Sequence, residues 1–222
     1  MTAVSLRIAN ARGVPGCAGL LLAGGWLVTN YHVAFGRGAR HGDPVWAIPP
    51  GAGIDVRETA VQIGVTHEGV IGRIGTGDSA VFVDCALIAM RRPPAAPAWV
   101  ASALAWPWPR SAGRPMLADV VTKAGPATGQ THGRIVALDH FDQPTDGDTR
   151  RTASGQLLIA SSVPARNFAA AGDSGAAVLG QDGRAVGLLW GVTGNAEGIA
   201  SPINAVLAAL GLNARAMAWE PV

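Results

Sequence analysis

The sequence predicts an all-β protein, two small barrels of short strands with one helix near the C-terminus. Three observations carry that expectation. Apolar residues fall in strand-length runs, and Gly and Pro punctuate them without any fixed period. A stretch rich in Pro and Trp then divides the runs into two sets of about five or six.

In chain order, the first set reads Val4–Ile8, Cys17–Leu22, Trp26–Thr29, Val45–Ile48, Glu58–Val65 and Cys85–Met90. The dividing stretch runs from Arg91 to Pro115, with Pro at 93, 94, 97, 107, 109 and 115 and Trp at 99, 106 and 108. Repeated Pro removes ladder donors and disfavours helix, so an irregular connection is expected, with its Trp side chains sealed against the body. The second set reads Asp119–Ala124, Gly133–Asp139, Gln156–Ser162, Gly175–Leu179 and Ala185–Trp190. The acidic stretch Asp142–Thr149 reads as an exposed loop. A helix is expected after Pro202, because Ile203, Val206, Leu207 and Leu210 share one face and Gly211 follows. The expected organisation is therefore an N-terminal barrel over 1–92, a connection over 93–115 and a C-terminal barrel over 116–222.

Composition narrows the function classes. Of 222 residues, 49% are apolar and 14% charged, which excludes a disordered chain. The net charge of +2 comes from scattered residues, so no nucleic-acid stripe is expected. The uncharged run from Gly13 to Gly36 is broken by Gly into strand-length pieces, so no membrane span is expected. The N-terminus lacks the apolar core of a signal peptide, which points to the cytoplasm. Two cysteines make no disulfide framework, no Cys/His spacing suits zinc, and no metal or cofactor is expected. His41, His67, His132 and His140 are read as surface or loop residues.

Three short segments carry chemistry. GWLVTNYHVA (25–34) ends an apolar strand and presents His32; VDCALIAM (83–90) sets Asp84 at the mouth of another; AGDSGAAV (171–178) flanks Asp173 and Ser174 with small residues. Each alone suits a turn or a structural role. Together they supply, in the order His, Asp, Ser, what a serine nucleophile needs. That is a base to take its proton and a carboxylate to fix the base's tautomer. Asp78 is the rival acid, but no apolar strand directly follows it.

At these residues the chain resembles the trypsin/chymotrypsin-like serine peptidases of the bacterial branch, over about residues 4–211. TNYHV resembles the histidine motif, DCALI the Asp strand and GDSGAAV the nucleophile motif. Lys123–Gly125 with Thr128–Gly133 resembles the opening of the second barrel, and Leu189–Gly191 the strand that pairs with substrate. The resemblance implies two six-stranded antiparallel Greek-key barrels (chymotrypsin-like) with a short C-terminal helix. It implies Ser174 as nucleophile, His32 as base, Asp84 as orienting acid, and the N–H groups of Gly172 and Ser174 as oxyanion hole. Substrate would contact Phe168, Ala169, Leu189, Trp190, Gly191 and Gly198. Phe168 stands six residues before the serine, where the family's pocket base lies; without Asp there, either a small or medium apolar side chain enters, or Phe168 fills the pocket. Ala176 and Ala177 replace the usual Gly and Pro, substitutions small enough to be tolerated. Asp173 adjoins the nucleophile and so is not the triad acid. Cys17 and Cys85 are expected as buried free thiols, with a bridge between them as the alternative.

The resemblance implies a serine endopeptidase with a protein or peptide substrate. It would be an intracellular bacterial enzyme of restricted specificity, as in a signalling or defence system, and regulated by a protein partner. Two other readings stay open: a latent protease fold serving as a binding module or scaffold, and an esterase using the same three residues. An α/β-hydrolase is disfavoured, since its order is Ser, Asp, His and Gly172–Ser174–Ala176 lacks its second glycine.

Overall fold

A computed structural model describes residues 5–51, 59–91, 96–104, 108–142 and 153–212. The chain begins with β1 (Arg7–Asn10), β2 (Pro15–Cys17), β3 (Leu20–Leu22) and β4 (Trp26–Thr29). A single helical turn, α1 (Tyr31–Ala34), precedes β5 (Pro44–Ala47), β6 (Val61–Ile74) and β7 (Val81–Met90). After α2 (Ala98–Leu104) come β8 (Val120–Gly125), β9 (Gly129–Asp142), β10 (Ala153–Ser161), β11 (Ala177–Gly180), β12 (Ala185–Val192) and β13 (Gly198–Pro202), then α3 (Ile203–Ala209).

The strands form two antiparallel sheets. The second is a closed barrel in the order β10-β13-β12-β11-β8-β9. The first runs β2-β1-β5-β6-β7-β4-β3, with seven strands where six are expected. The extra strand comes from a bend, because β2 and β3 are two halves of one segment turning at Ala18 and Gly19. There the Ala18 N–H reaches Leu6 O on one side at 3.0 Å, and the Gly19 N–H reaches Val28 O on the other at 2.8 Å. The ladder changes neighbour at the bend, and the backbone itself closes the ring. With β2 and β3 counted as one strand, both barrels share the Greek-key order 1-2-3-6-5-4.

Several elements differ from expectation. The first strand is Arg7–Asn10, later than the expected Val4–Ile8, of which Val4 lies outside the described residues. β6 and β9 each run 14 residues, well past the apolar stretches that mark them. β13 has no sequence signal of its own. The connection contains a helix, α2, despite its prolines. Pro97 stands just ahead of the first turn, where a missing N–H costs nothing, and its carbonyl accepts from the Val100 and Ala101 N–H groups at 2.9 and 3.1 Å. α2 buries Val100 and Ala103 in the first barrel's core beside Trp108, with Trp99 packed against it. Trp106 lies outside the described residues, as do positions 143–149 of the expected acidic loop; Asp142 ends β9.

Burial follows from two-faced strands. In β7, Ile88 faces the first barrel's core. Val83, Cys85 and Leu87 face a second core shared with Leu20, Leu22 and Val28, with Ala185 and Leu188 of β12, and with Ile203, Val206 and Leu207 of α3. A strand buried on both faces reads as one continuous apolar run, which VDCALIAM does. The third core fills the second barrel around Val121, Ile135, Leu157, Ile159, Phe168 and Val178. Both cysteines are buried and unbridged, and burial pushes each thiol up to about 12. Among the described residues no helix is long and apolar enough to cross a membrane.

Candidate active site

The site is assembled where the two barrels meet. β4 ends at Thr29, and α1 then lifts His32 out of the sheet to a half-exposed position. β4 pairs with β7 through Thr29 opposite Ala86, which sets Asp84 two residues away on the neighbouring strand. The result is a tight contact between residues 52 apart, with His32 Nδ1 2.6 Å from Asp84 Oδ2. The other carboxylate oxygen, Oδ1, accepts the His32 backbone N–H at 3.1 Å. Asn30, fully buried, donates its Nδ2 to Asp84 O at 2.7 Å and so ties α1 to β7. The acid that meets His32 is thus Asp84; Asp78 lies in the turn Gly77–Ser79 ahead of β7.

Asp84 is buried while the His32 side chain keeps 39% of its surface. Burial disfavours the imidazolium, but the hydrogen bond and charge of Asp84 outweigh it and hold the His32 pKa above its ordinary 6.5. With Nδ1 donating its proton to the carboxylate, Nε2 is left as the basic nitrogen.

Ser174 arrives from the second barrel on the turn between 170 and 176, docked against the first barrel. Its carbonyl accepts the Cys17 N–H at 2.8 Å, and the Gly175 N–H reaches Leu189 O at 2.8 Å. Thr29 Oγ1 donates to Cys17 O at 2.7 Å, so the strand leading to His32 and the serine turn share one anchor. Glycine is obligatory at 175: φ is +96°, and a Cβ would come 2.2 Å from Cys17 O. The Ser174 hydroxyl faces Trp190 O at 3.5 Å and makes no hydrogen bond with His32.

Asp173 locks the same turn from inside. It is fully buried and forms an ion pair with Lys123 at 2.9 Å. It also accepts the Ala127, Thr128 and Ala170 N–H groups and the Thr128 hydroxyl, at 2.8, 3.2, 3.2 and 2.7 Å. Burial alone would raise its pKa; the Thr128 hydroxyl, the Lys123 cation and the backbone N–H groups reverse that and hold the carboxyl below its usual range. The pinned turn leaves Gly172 at φ +101°. The N–H groups of Gly172 and Ser174 have no acceptor among the described residues.

The expected substrate residues divide. Phe168, Ala169, Leu189 and Gly198 are buried; Trp190 and Gly191 keep exposed surface on β12. The Phe168 ring fills the space between β9 and β13, where a Cβ would approach it to 2.7 Å from Gly133 and to 2.6 Å from Gly198. Sequence reasoning missed Lys123 as the partner of Asp173 and Gln156 as the partner of Trp190. The signal for Lys123 is its place on the inward side of β8 beside Val121, where a charge requires a buried carboxylate. No group of three or more His, Cys, Asp or Glu side chains that could hold a metal occurs among the described residues.

No family model matches the chain, and no curated protein does. Solved structures do. The chymotrypsin of Cellulomonas bogoriensis is 17% identical with a TM-score of 0.57, over 97% of this chain and 100% of that one. The Nocardiopsis protease is 17% identical with a TM-score of 0.58, over 93% and 95%. The active form of the Rv3671c protease from M. tuberculosis is 20% identical with a TM-score of 0.55, over 100% and 83%. The chain therefore has the trypsin/chymotrypsin-like fold, which it shares with these three proteases.

Proposed function

We propose that the protein is a serine endopeptidase working through Ser174, His32 and Asp84. The observation that carries this is the 2.6 Å contact of His32 Nδ1 with Asp84, which leaves Nε2 as the base. His32 Nε2 takes the Ser174 hydroxyl proton as Oγ bonds to the scissile carbonyl carbon. The carbonyl oxygen gains the charge and is met by the Gly172 and Ser174 N–H groups. His32 then gives its proton to the leaving amine and the C–N bond breaks. Water, deprotonated by His32, hydrolyses the acyl-Ser174 ester and restores the serine.

The substrate side chain before the scissile bond is small, Ala or Gly, because the Phe168 ring takes up the space a larger one needs. The buried Phe168 ring supports a restricted specificity, and two unbridged thiols of the kind a reducing compartment maintains support a protease inside a bacterial cell. Its role would be the cleavage of few protein targets, as in signalling or defence.

A second reading is a latent fold serving as a binding module. The observation favouring it is the Ser174 hydroxyl turned to Trp190 O and away from His32. A regulatory partner or the substrate itself would have to turn it back. Labelling with a fluorophosphonate probe separates the two. Modification of Ser174 that disappears in His32→Ala supports the peptidase; an unlabelled Ser174, with and without peptide, supports the binding module.

A further inference from the structure

We propose that Gln156 is a positioning residue that fixes the indole of Trp190 as a wall of the substrate cleft and ties it to the strand bearing Asp84. The inference rests on the peptidase reading for its functional consequence, but the anchor itself is a matter of geometry.

Trp190 needs an anchor because the sheet does not supply one. On β12, Leu189 pairs with Ala200 and Gly191 with Ile199, so Trp190 is the extra residue of a bulge. A bulged residue is released from the alternation of its strand and can aim elsewhere. Here it is half exposed, and its carbonyl is the group that faces the Ser174 hydroxyl. Its ring leans on Phe82, centroids 5.3 Å apart at 58°.

Gln156 on β10 is fully buried, and its carboxamide is saturated. Nε2 donates to Phe82 O at 2.8 Å and to Ser154 O at 2.7 Å. Oε1 accepts Trp190 Nε1–H at 2.7 Å and shares the one proton of Ser201 Oγ, 3.1 Å away, with Phe82 O at 3.2 Å. Its two faces are fixed by chemistry, since an indole N–H only donates and a peptide carbonyl only accepts. Phe82 belongs to the first barrel and lies two residues before Asp84. One amide therefore spans the barrels, joining the strand of the acid to the residue beside the nucleophile. A fully satisfied buried network of this kind specifies a single arrangement.

The test uses the full-length protein and a chromogenic tetrapeptide anilide with Ala before the scissile bond. Gln156→Leu removes the partner of the Trp190 N–H, and Trp190→Phe keeps an aromatic ring beside Phe82 while removing that donor together with the indole's five-membered ring. Each should raise KM by about 10-fold or more with kcat within a few-fold, and the double variant should be no worse than the worse single. Additive losses, or a fall in kcat at constant KM, overturn the proposal. A second readout does not depend on turnover: hydrogen exchange of the Trp190 Nε1–H, its NMR signal assigned by its loss in Trp190→Phe. Slow exchange in the parent and fast exchange in a folded Gln156→Leu is the expected result; equal exchange overturns the anchor. Should Gln156→Leu fail to fold, Trp190→Phe decides the kinetic arm, and fast exchange in the parent would overturn the anchor. An unlabelled Ser174 would sink the peptidase reading alone and leave the exchange result to judge Gln156.

Discussion

Replacing Lys123 by Met keeps most of the side chain's volume and deletes its charge beside Asp173, which is itself fully buried. At a separation of 2.9 Å and an effective dielectric of about 20, the Coulomb attraction is about 6 kcal/mol. Part of that only repays desolvation, and removing one partner of such a pair costs about 3–5 kcal/mol because the other charge stays buried. For a chain of this size about 2–4 °C of Tm is lost per kcal/mol, so a drop of about 6–20 °C is expected. Asp173 also holds the turn that presents the Gly172 and Ser174 N–H groups, so kcat should fall by about 10²–10³ if that turn relaxes. Thermal unfolding by circular dichroism, with hydrolysis of the Ala anilide, measures both. Adding Asp173→Asn removes the stranded charge and should return most of the lost Tm. A Tm change under about 2 °C, or a double variant less stable than the single, would refute the view that a stranded charge is the cause.

Three further outcomes follow from the site. The acid limb of kcat/KM should lie above pH 6.5, because Asp84 raises the His32 pKa and the base is lost as pH falls through it. The same pair contributes stability that is complete below the unfolded value near 6.5 and fades as pH rises through the folded one; a Tm–pH profile flat across that window counts against it. Asp84→Asn should cost about 10⁴ in kcat and move the limb to lower pH, and near-normal turnover would shift attention to Asp78. Phe168→Ala should cost about 3–5 kcal/mol of stability and admit larger residues before the scissile bond, read by cleavage of a peptide library; an unchanged profile means the ring does not set specificity.

The parts of the fold visible in the sequence were those where burial is one-sided or continuous. β7 announced itself as VDCALIAM, and α3 by the spacing of Ile203, Val206, Leu207 and Leu210. β6 was half visible, because beyond Val65 it continues through Thr66, Glu68, Gly69 and Gly72, which no apolar pattern marks although the ladder with β7 runs on to Ile74. α2 was hidden by its prolines, which flank the helix and do not interrupt it. The site was legible as residue types in order, since His, Asp and Ser each sit in a segment with a local signature. What holds the site was not. Lys123 meets Asp173 across 50 positions and Gln156 meets Trp190 across 34, and nothing local to either marks its partner.

The helix α3 covers the outer face of β7, so the strand that carries Asp84 is fully enclosed only when residues near 209 have been made. His32 and Asp84 leave the ribosome early, and Ser174, Trp190 and α3 follow in that order. During synthesis the first barrel can fold on its own schedule, yet neither Ser174 nor Trp190 exists then. On the proposed reading, a nascent chain carries no working site until Ser174 and Trp190 have followed His32 and Asp84. Truncations before residue 203 should behave as aggregation-prone fragments with Leu22, Val83 and Leu87 uncovered, and not as weakened versions of the whole protein.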